Sequence, residues 1–387
     1  MKIRSIETYI LRTPLGAKRF FSSQAAFPER NSFLVKITAD NGLVGWGEGG
    51  QYGPPEPPMA CVEKVLYAFS EPFSVAERDL YCSTSIGVAL YPDDADTAEQ
   101  LLSNADAAMY HCKAGGRGYS FYDQDMNRQA VERVNLENDL RHALAERQFR
   151  LHYQPKLDAR SRRILGAEAL IRWRHPERGE VSPALFIPVA ERAGLVGAIG
   201  DWALTEACRQ MRIWREQGLD FGCVSVNLSP AQFHDAGLKE KVERALEITC
   251  LAPSDLELEI TETMMATEVD RAISILTQLG AMGVRISIDD FGTGYSSLAY
   301  LKLFPVDTLK IDRAFVKELP GNGKDGAIVA SIVALATNLG FNVIAEGVET
   351  PEQADYLLGK GVNLMQGYLY SPPVSADRFT EFLRNGI

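Results

Sequence analysis

No Cys-x-x-Cys pair and no His-x-x-x-His pair occurs in the 387 residues. The six cysteines (61, 82, 112, 208, 223 and 250) are scattered. They read as buried thiols of a reducing compartment rather than a disulfide framework. The five histidines (111, 142, 152, 175 and 234) give no zinc spacing. No apolar run approaches the ~18 residues of a membrane helix, and Met1–Glu7 has no apolar leader core. The expectation is a cytoplasmic protein with no membrane segment. Basic excess is missing too: a net charge of −11 argues against DNA, RNA or an acidic membrane as partner. A phosphorylated ligand stays open if metal ions or a local basic group neutralise it. With 46% hydrophobic and 24% charged residues, the chain has the composition of an ordinary globular protein. Its length allows two or three domains, or one barrel with additions.

What is present centres on Arg285–Ser297, Arg-Ile-Ser-Ile-Asp-Asp-Phe-Gly-Thr-Gly-Tyr-Ser-Ser. Ile286 and Ile288 alternate with Arg285 and Ser287, the pattern of a short strand. It ends in Asp289 and Asp290 and runs into a glycine-bearing loop. Adjacent carboxylates at a buried strand end repel unless something positive lies between them, and a divalent cation is the simplest such group. An isolated Asp-Asp in a solvated turn would look the same, so the surroundings decide.

Those surroundings are regular from Phe149 onward. Candidate strands are 149–157, 164–173, 223–228, 256–261, 284–290, 308–311, 342–347 and 364–370. Candidate helices (183–193, 199–217, 238–246, 268–282, 326–339 and 351–358) lie between most of them. This alternation predicts an α/β fold, a modified (β/α)8 TIM-like barrel. Only a turn separates the first two strands, so one strand should run antiparallel. Glu168, Asn227, Glu259, Asp289, Asp290, Lys310, Glu346 and Gln366 fall in or at the ends of these strands. Polar groups in Ile/Leu/Val-rich strands are costly to bury unless they bind something. Barrel enzymes build their sites at strand carboxyl ends. Carboxylates with one amide oxygen suit Mg2+ or Mn2+, with enough ligands for two ions sharing an aspartate. Two such ions clamp a phosphodiester and activate water, with Lys310 as positive group or proton relay. The residues alone therefore suggest a metal-dependent phosphohydrolase.

Residues 1–148 form a small α+β region. Ser32–Asp40 and Leu43–Gly49 flank Asn41-Gly42, a hairpin signal. Met1–Thr13, this hairpin and Val44-Gly45-Trp46-Gly47-Glu48 make residues 1–60 resemble the capping segment of the enolase superfamily. No barrel with that family's lysine base follows, so Glu48 reads as a solvated loop carboxylate. Residues 61–126 give an α-β-α-β pattern with elements at 61–69, 80–91, 97–113 and 119–122. Through Ser85-Ile86-Gly87-Val88-Ala89, Tyr91-Pro92-Asp93-Asp94, Asn104–Tyr110 and Lys113, this stretch resembles the C-terminal half of a GGDEF (diguanylate cyclase) domain. The half carrying that family's signature turn is missing from it, which excludes cyclase activity for this stretch. Residues 126–148 read as an amphipathic connector helix, the linker being 127–148.

Residues 136–386, and the barrel of 149–387 in particular, resemble an EAL-domain cyclic-di-GMP phosphodiesterase. Its namesake is Glu168-Ala169-Leu170, with Tyr153-Gln154-Pro155, Val226-Asn227-Leu228, Glu259-Ile260-Thr261-Glu262, Asp289-Asp290-Phe291-Gly292, Leu309-Lys310-Ile311-Asp312, Ala345-Glu346-Gly347 and Gln366-Gly367-Tyr368 in order. The resemblance implies metal ligands at Glu168, Asn227, Glu259, Asp289, Asp290 and Glu346. It implies Lys310 orienting or deprotonating water, and Glu262 pinning loop 290–297. Gln154, Arg172 and Gln366 would meet the substrate, with two divalent cations, linear pGpG as product and a homodimer through the barrel. Pro372 and Pro373 stand where the family often has a basic residue. The alternative is a catalytically silent cyclic-di-GMP receptor. A proton-abstracting enolase-type activity would rest on residues 1–60 alone.

Overall fold

The computed structural model describes residues 3–14, 20–21, 26–27, 29–39, 44–51, 73–75, 78–80, 84–90, 93–115, 118–266, 268–292, 301–321 and 323–387. Below residue 84, and at 114–115, 129–131, 133 and 266, the description covers the backbone alone. The chain divides into two compact units, Met1–Asn135 and Leu136–Ile387.

In the first unit, Ile3–Pro14, Glu29–Ala39 and Val44–Gln51 form an antiparallel sheet with Glu29–Ala39 in the middle. The hairpin expectation holds for its strands; the Asn41-Gly42 turn lies outside the described residues. Farther on, Ile86–Val88 and Tyr119–Phe121 pair in parallel around helix α1 (Ala98–Gly115), a right-sized βαβ crossover. Gly87 lets the helix lie directly on the strand, since a Cβ there would fall 1.8 Å from the Ala105 carbonyl oxygen. The single expected strand 80–91 is instead two short ones, Arg78–Leu80 and Ile86–Val88. The expected helix 61–69 lies outside the described residues.

Helix α2 (Gln124–Ala143) stops short of the expected Gln148. Arg147 takes a left-handed conformation (φ 55°), and the Gln148 amide donates to the Ala143 carbonyl. That is a helix-ending arrangement that turns the chain into the first barrel strand. In the second unit, Leu136, Leu140 and Ala143 of α2 bury against Phe149, Trp173, Val181 and Phe186. Asp139 Oδ2 lies 3.2 Å from His175 Nε2.

The second unit is the barrel. Its strands are β1 (Phe149–Asp158), β2 (Ile164–His175), β3 (Cys223–Asn227), β4 (Leu256–Thr261), β5 (Arg285–Phe291), β6 (Thr308–Ile311), β7 (Asn342–Ala345) and β8 (Leu364–Met365). From β2 to β8 each pairs in parallel with the next, while β1 runs antiparallel to both β2 and β8. The seam is thin: β8 pairs only Leu364 and Met365 with β1, and Val374–Ser375 extends the pairing to His152 and Tyr153. β8 ends before the expected Tyr370 because the chain turns at Gly367, whose carbonyl accepts from the Tyr370 and Ser371 amides.

Strand alternation sorts the side chains. Leu256, Leu258 and Ile260 of β4, Ile286 and Ile288 of β5, and Leu309 and Ile311 of β6 join the main apolar cluster. Their neighbours of opposite parity, Glu257, Glu259, Ser287, Asp289, Thr308 and Lys310, face the other way, into the barrel. Barrel interiors are more commonly filled by branched aliphatic layers; here the filling is polar and charged. Among the described residues, no helix is long and apolar enough to cross a membrane.

Candidate active site

Lys310, on β6, is the hub. It is only 1% exposed, and its Nζ lies 2.5 Å from Glu259 Oε2, 2.6 Å from Glu346 Oε1 and 3.1 Å from Asp289 Oδ1. Glu168 Oε2 is 3.9 Å away. Burial alone would lower the pKa of this ammonium, but Glu168, Glu259, Glu346 and Asp289 outweigh it and hold the group well above its usual value.

A second buried lysine lies one layer deeper. Lys156 Nζ donates at 2.6 Å to each of Ser225 Oγ, Glu257 Oε2 and Glu259 Oε1. Glu259 therefore bridges two ammonium groups, one on each carboxylate oxygen. Burial pushes its pKa up, but Lys156 and Lys310 prevail and hold it down at about 2.

On the far side of Lys310 runs a chain of amides. Gln154 Nε2 donates to the Ser371 carbonyl at 3.0 Å, and Gln366 Nε2 donates to Gln154 Oε1 at 2.9 Å and to Glu168 Oε2 at 2.5 Å. Asn227 Nδ2 donates to Glu168 Oε1 at 2.7 Å. Both oxygens of Glu168 are thereby fixed in direction. Burial first, then Glu259, raises the Glu168 pKa.

The remaining expected residues divide. Glu262 opens the short helix Glu262–Ala266, and its Oε2 accepts from the Gly292 amide at 2.9 Å, holding the start of the loop after β5. Residues 293–297 of that loop lie outside the described residues. Asp290 adopts a left-handed backbone (φ 54°); its carboxyl hydrogen-bonds with that of Asp312 and interacts electrostatically with Asp289 and Lys310 of the ring. Burial, then Asp289 and Asp312, push its pKa up to about 6. Arg172 Nη1 donates to the adjacent Ile171 carbonyl, and its guanidinium interacts electrostatically with Tyr368 and Glu168, two residues that line the cleft described next.

The cleft, about 220 Å³, opens beside this ring and is lined by Gln154, Glu168, Glu346, Gln366, Arg313 and Tyr368, among others. Sequence reasoning gave no role to Arg313 or Tyr368. Arg313 pairs with Glu349 Oε1 at 2.6 Å, and Tyr368 is 65% exposed. Gly347 (φ 63°) makes room for the arginine: a Cβ would lie 2.3 Å from Arg313 Cγ. Gly347→Ala should therefore displace Arg313 and add left-handed strain of roughly 1–2 kcal/mol. Urea unfolding should register that loss, and unchanged stability would mean that the turn relaxes freely.

Among the described residues, no group of three or more Asp, Glu, His or Cys side chains stands ready-made to hold an ion; the Lys310 ammonium takes the middle of the ring. The oxygens are nonetheless hard ligands. Burial, against the opposing pull of Lys310 and with Asp289, Glu168 and Glu259 adding to it, raises Glu346 to about 8. Burial is the first cause of the raised values at Glu168, Asp290 and Glu346, and neighbouring carboxylates add to it. Ser287 Oγ and Gln366 Oε1 are buried with no hydrogen-bond partner among the described residues. An oxygen-liganded cation fits this set.

Comparison with known proteins agrees with the motif order. The EAL domain family matches residues 137–373, and the diguanylate cyclase GGDEF domain family matches residues 58–119. The bifunctional diguanylate cyclase/cyclic di-GMP phosphodiesterase MucR of Pseudomonas aeruginosa is 48% identical over 84% of this chain and 47% of its own. Cyclic di-GMP phosphodiesterase NbdA of the same organism is 41% identical over 83% of this chain and 41% of its own. The chain thus spans less than half the length of either relative. The solved PaMucR phosphodiesterase in a c-di-GMP complex matches with TM-score 0.62 at 50% identity, over 63% of this chain and 99% of that one. The enolase-type resemblance of residues 1–60 finds no support in these matches. By its EAL match over more than half of its length, the chain belongs to the EAL domain family, and it carries part of a GGDEF domain ahead of the barrel.

Proposed function

We propose that the barrel is a divalent-cation-dependent phosphodiesterase that hydrolyses cyclic-di-GMP to linear pGpG. The observation that carries this reading is the ring of Glu168, Glu259, Asp289 and Glu346 around Lys310, beside a cleft with amide and guanidinium groups. Glu168, Asn227, Glu259, Asp289, Asp290 and Glu346 would hold two ions, Mg2+ or Mn2+. Such ions supply an activated water and charge neutralisation at the leaving oxygen. The chain's own residues do the rest. Gln154 and Gln366 orient the ligand, Arg313 and Arg172 offer positive charge to its phosphates, and Tyr368 offers a ring face to a base. Lys310 holds a proton within reach of the reacting oxygens. Glu262 keeps the start of the following loop in place through Gly292. The reading includes a cytoplasmic setting and a homodimer through the barrel.

The test is cyclic-di-GMP turnover by the full chain with Mg2+ or Mn2+, then with a chelator. Linear dinucleotide appearing only with the cation supports the reading. Tight binding without product would make the barrel a receptor instead.

A further inference from the structure

Lys156 lies outside the set that any motif singled out, yet it touches the centre of the ring. Its side chain is 8% exposed, and those of Glu257 and Glu259 are 7% and 0% exposed. Every hydrogen bond its ammonium can donate is used: one to Ser225 Oγ, one to Glu257 Oε2, one to Glu259 Oε1. Ser225 Oγ in turn donates to Glu257 Oε2 at 2.5 Å, closing a triangle beneath Glu259. Gly166 is the register partner of Lys156 on β2. A Cβ at Gly166 would sit 3.6 Å from Lys156 Cδ and 3.2 Å from the Cys223 carbonyl oxygen.

We propose that Lys156 is a positioning residue for the site: it holds Glu259 Oε1 from below, so that only Oε2 faces Lys310 and the rim. A carboxylate on an unbranched stem would otherwise rotate and offer either oxygen. With Oε1 tied, Glu259 meets a cation through one oxygen of fixed direction, and the Lys310 ammonium is located by that same oxygen. Ser225 and Glu257 keep Lys156 itself from turning. Groups that orient metal ligands in this way are typically worth about 10–100-fold in metal affinity or activity. This inference rests on the phosphodiesterase reading for its importance, but its geometry concerns cation binding alone.

The bland reading is that Lys156 merely neutralises Glu257 inside the barrel. Two variants of the full chain separate the readings, Glu257→Gln and the charge-balanced double variant Lys156→Met/Glu257→Gln. Thermal unfolding without added cation, Mn2+ binding by electron paramagnetic resonance and cyclic-di-GMP turnover are measured on each. Glu257→Gln should bind Mn2+ as the wild type does, because Lys156 still holds Glu259. The double variant should fold, but bind Mn2+ about 10–100-fold more weakly, with kcat falling and the KM for cyclic-di-GMP nearly unchanged. A double variant that binds Mn2+ within about twofold of wild type would overturn the proposal, set against that expected loss. A double variant that does not fold would overturn it as well, since Lys156 would then be a structural cation. Failure of wild type to hydrolyse cyclic-di-GMP while binding Mn2+ would reject the proposed function and leave the Lys156 result to be read from the Mn2+ affinities.

Discussion

Lys310→Met should lower kcat for cyclic-di-GMP by about 10²–10⁴-fold, the range for losing a positioned proton-transfer group. The lysine stands within 3.1 Å of Glu259, Asp289 and Glu346 and is sealed from solvent, so bulk water has no route to replace it. Methionine fills nearly the same volume, which keeps the barrel packed and isolates the lost charge. Ligand affinity should change little, because the cleft is lined by Gln154, Gln366, Arg313 and Tyr368 rather than by Lys310. Steady-state turnover set beside cyclic-di-GMP titration separates the two effects. A variant keeping more than roughly a tenth of wild-type kcat would remove Lys310 from proton transfer altogether.

Glu259→Gln should lower stability strongly. Two buried ammonium groups share this carboxylate, and the amide that replaces it neutralises neither. Removing one partner of a buried pair typically costs about 3–5 kcal/mol. For a domain of this size, that corresponds to a fall in Tm of very roughly 6–20 °C. Asp289→Asn should cost less, since Asp289 touches one lysine and its side chain is 13% exposed. Differential scanning calorimetry without divalent cation makes the comparison. Equal, small shifts for both variants would mean that water reaches Lys156 and Lys310.

The barrel was legible because its strands pair apolar outward residues with alternating inward ones, as in Leu256–Thr261, whose limits match the expectation. The antiparallel β1 followed from the short turn before Ile164. Ends were less legible where backbone conformation decides, as at Arg147, or where a glycine redirects the chain, as at Gly367. In the site, the motif residues Glu168, Glu259, Asp289, Lys310 and Glu346 do converge. The left-handed backbone at Asp290 and the bond from Arg172 Nη1 back to the Ile171 carbonyl were not legible, because conformation at strand ends depends on the following turn. Lys156 and Glu257 were missed although parity could have found them. Lys156 is two residues from Gln154 and Glu257 two from Glu259, so each pair shares a strand face. Arg313 offered no such signal; it reaches the cleft only because Gly347 leaves the space.

The thin seam has a consequence for where the barrel breathes. β1 is held to β2 along nearly its whole length, but to β8 by the short pairing Leu157–Met365 and Asp158–Leu364, extended by the Ala159 amide on the Asn363 carbonyl, with His152 and Tyr153 resting on Val374–Ser375. Local opening favours places with few shared backbone hydrogen bonds. Across the gap between those two short pairings stretches the link from Gln154 to the Ser371 carbonyl, and Gln366 leans on the same glutamine. Amide hydrogen exchange would thus begin along the edge that carries the ligand-facing glutamines. A molecule seated between them would act as a rivet across the closure, making occupancy of the cleft and integrity of the cylinder a single equilibrium.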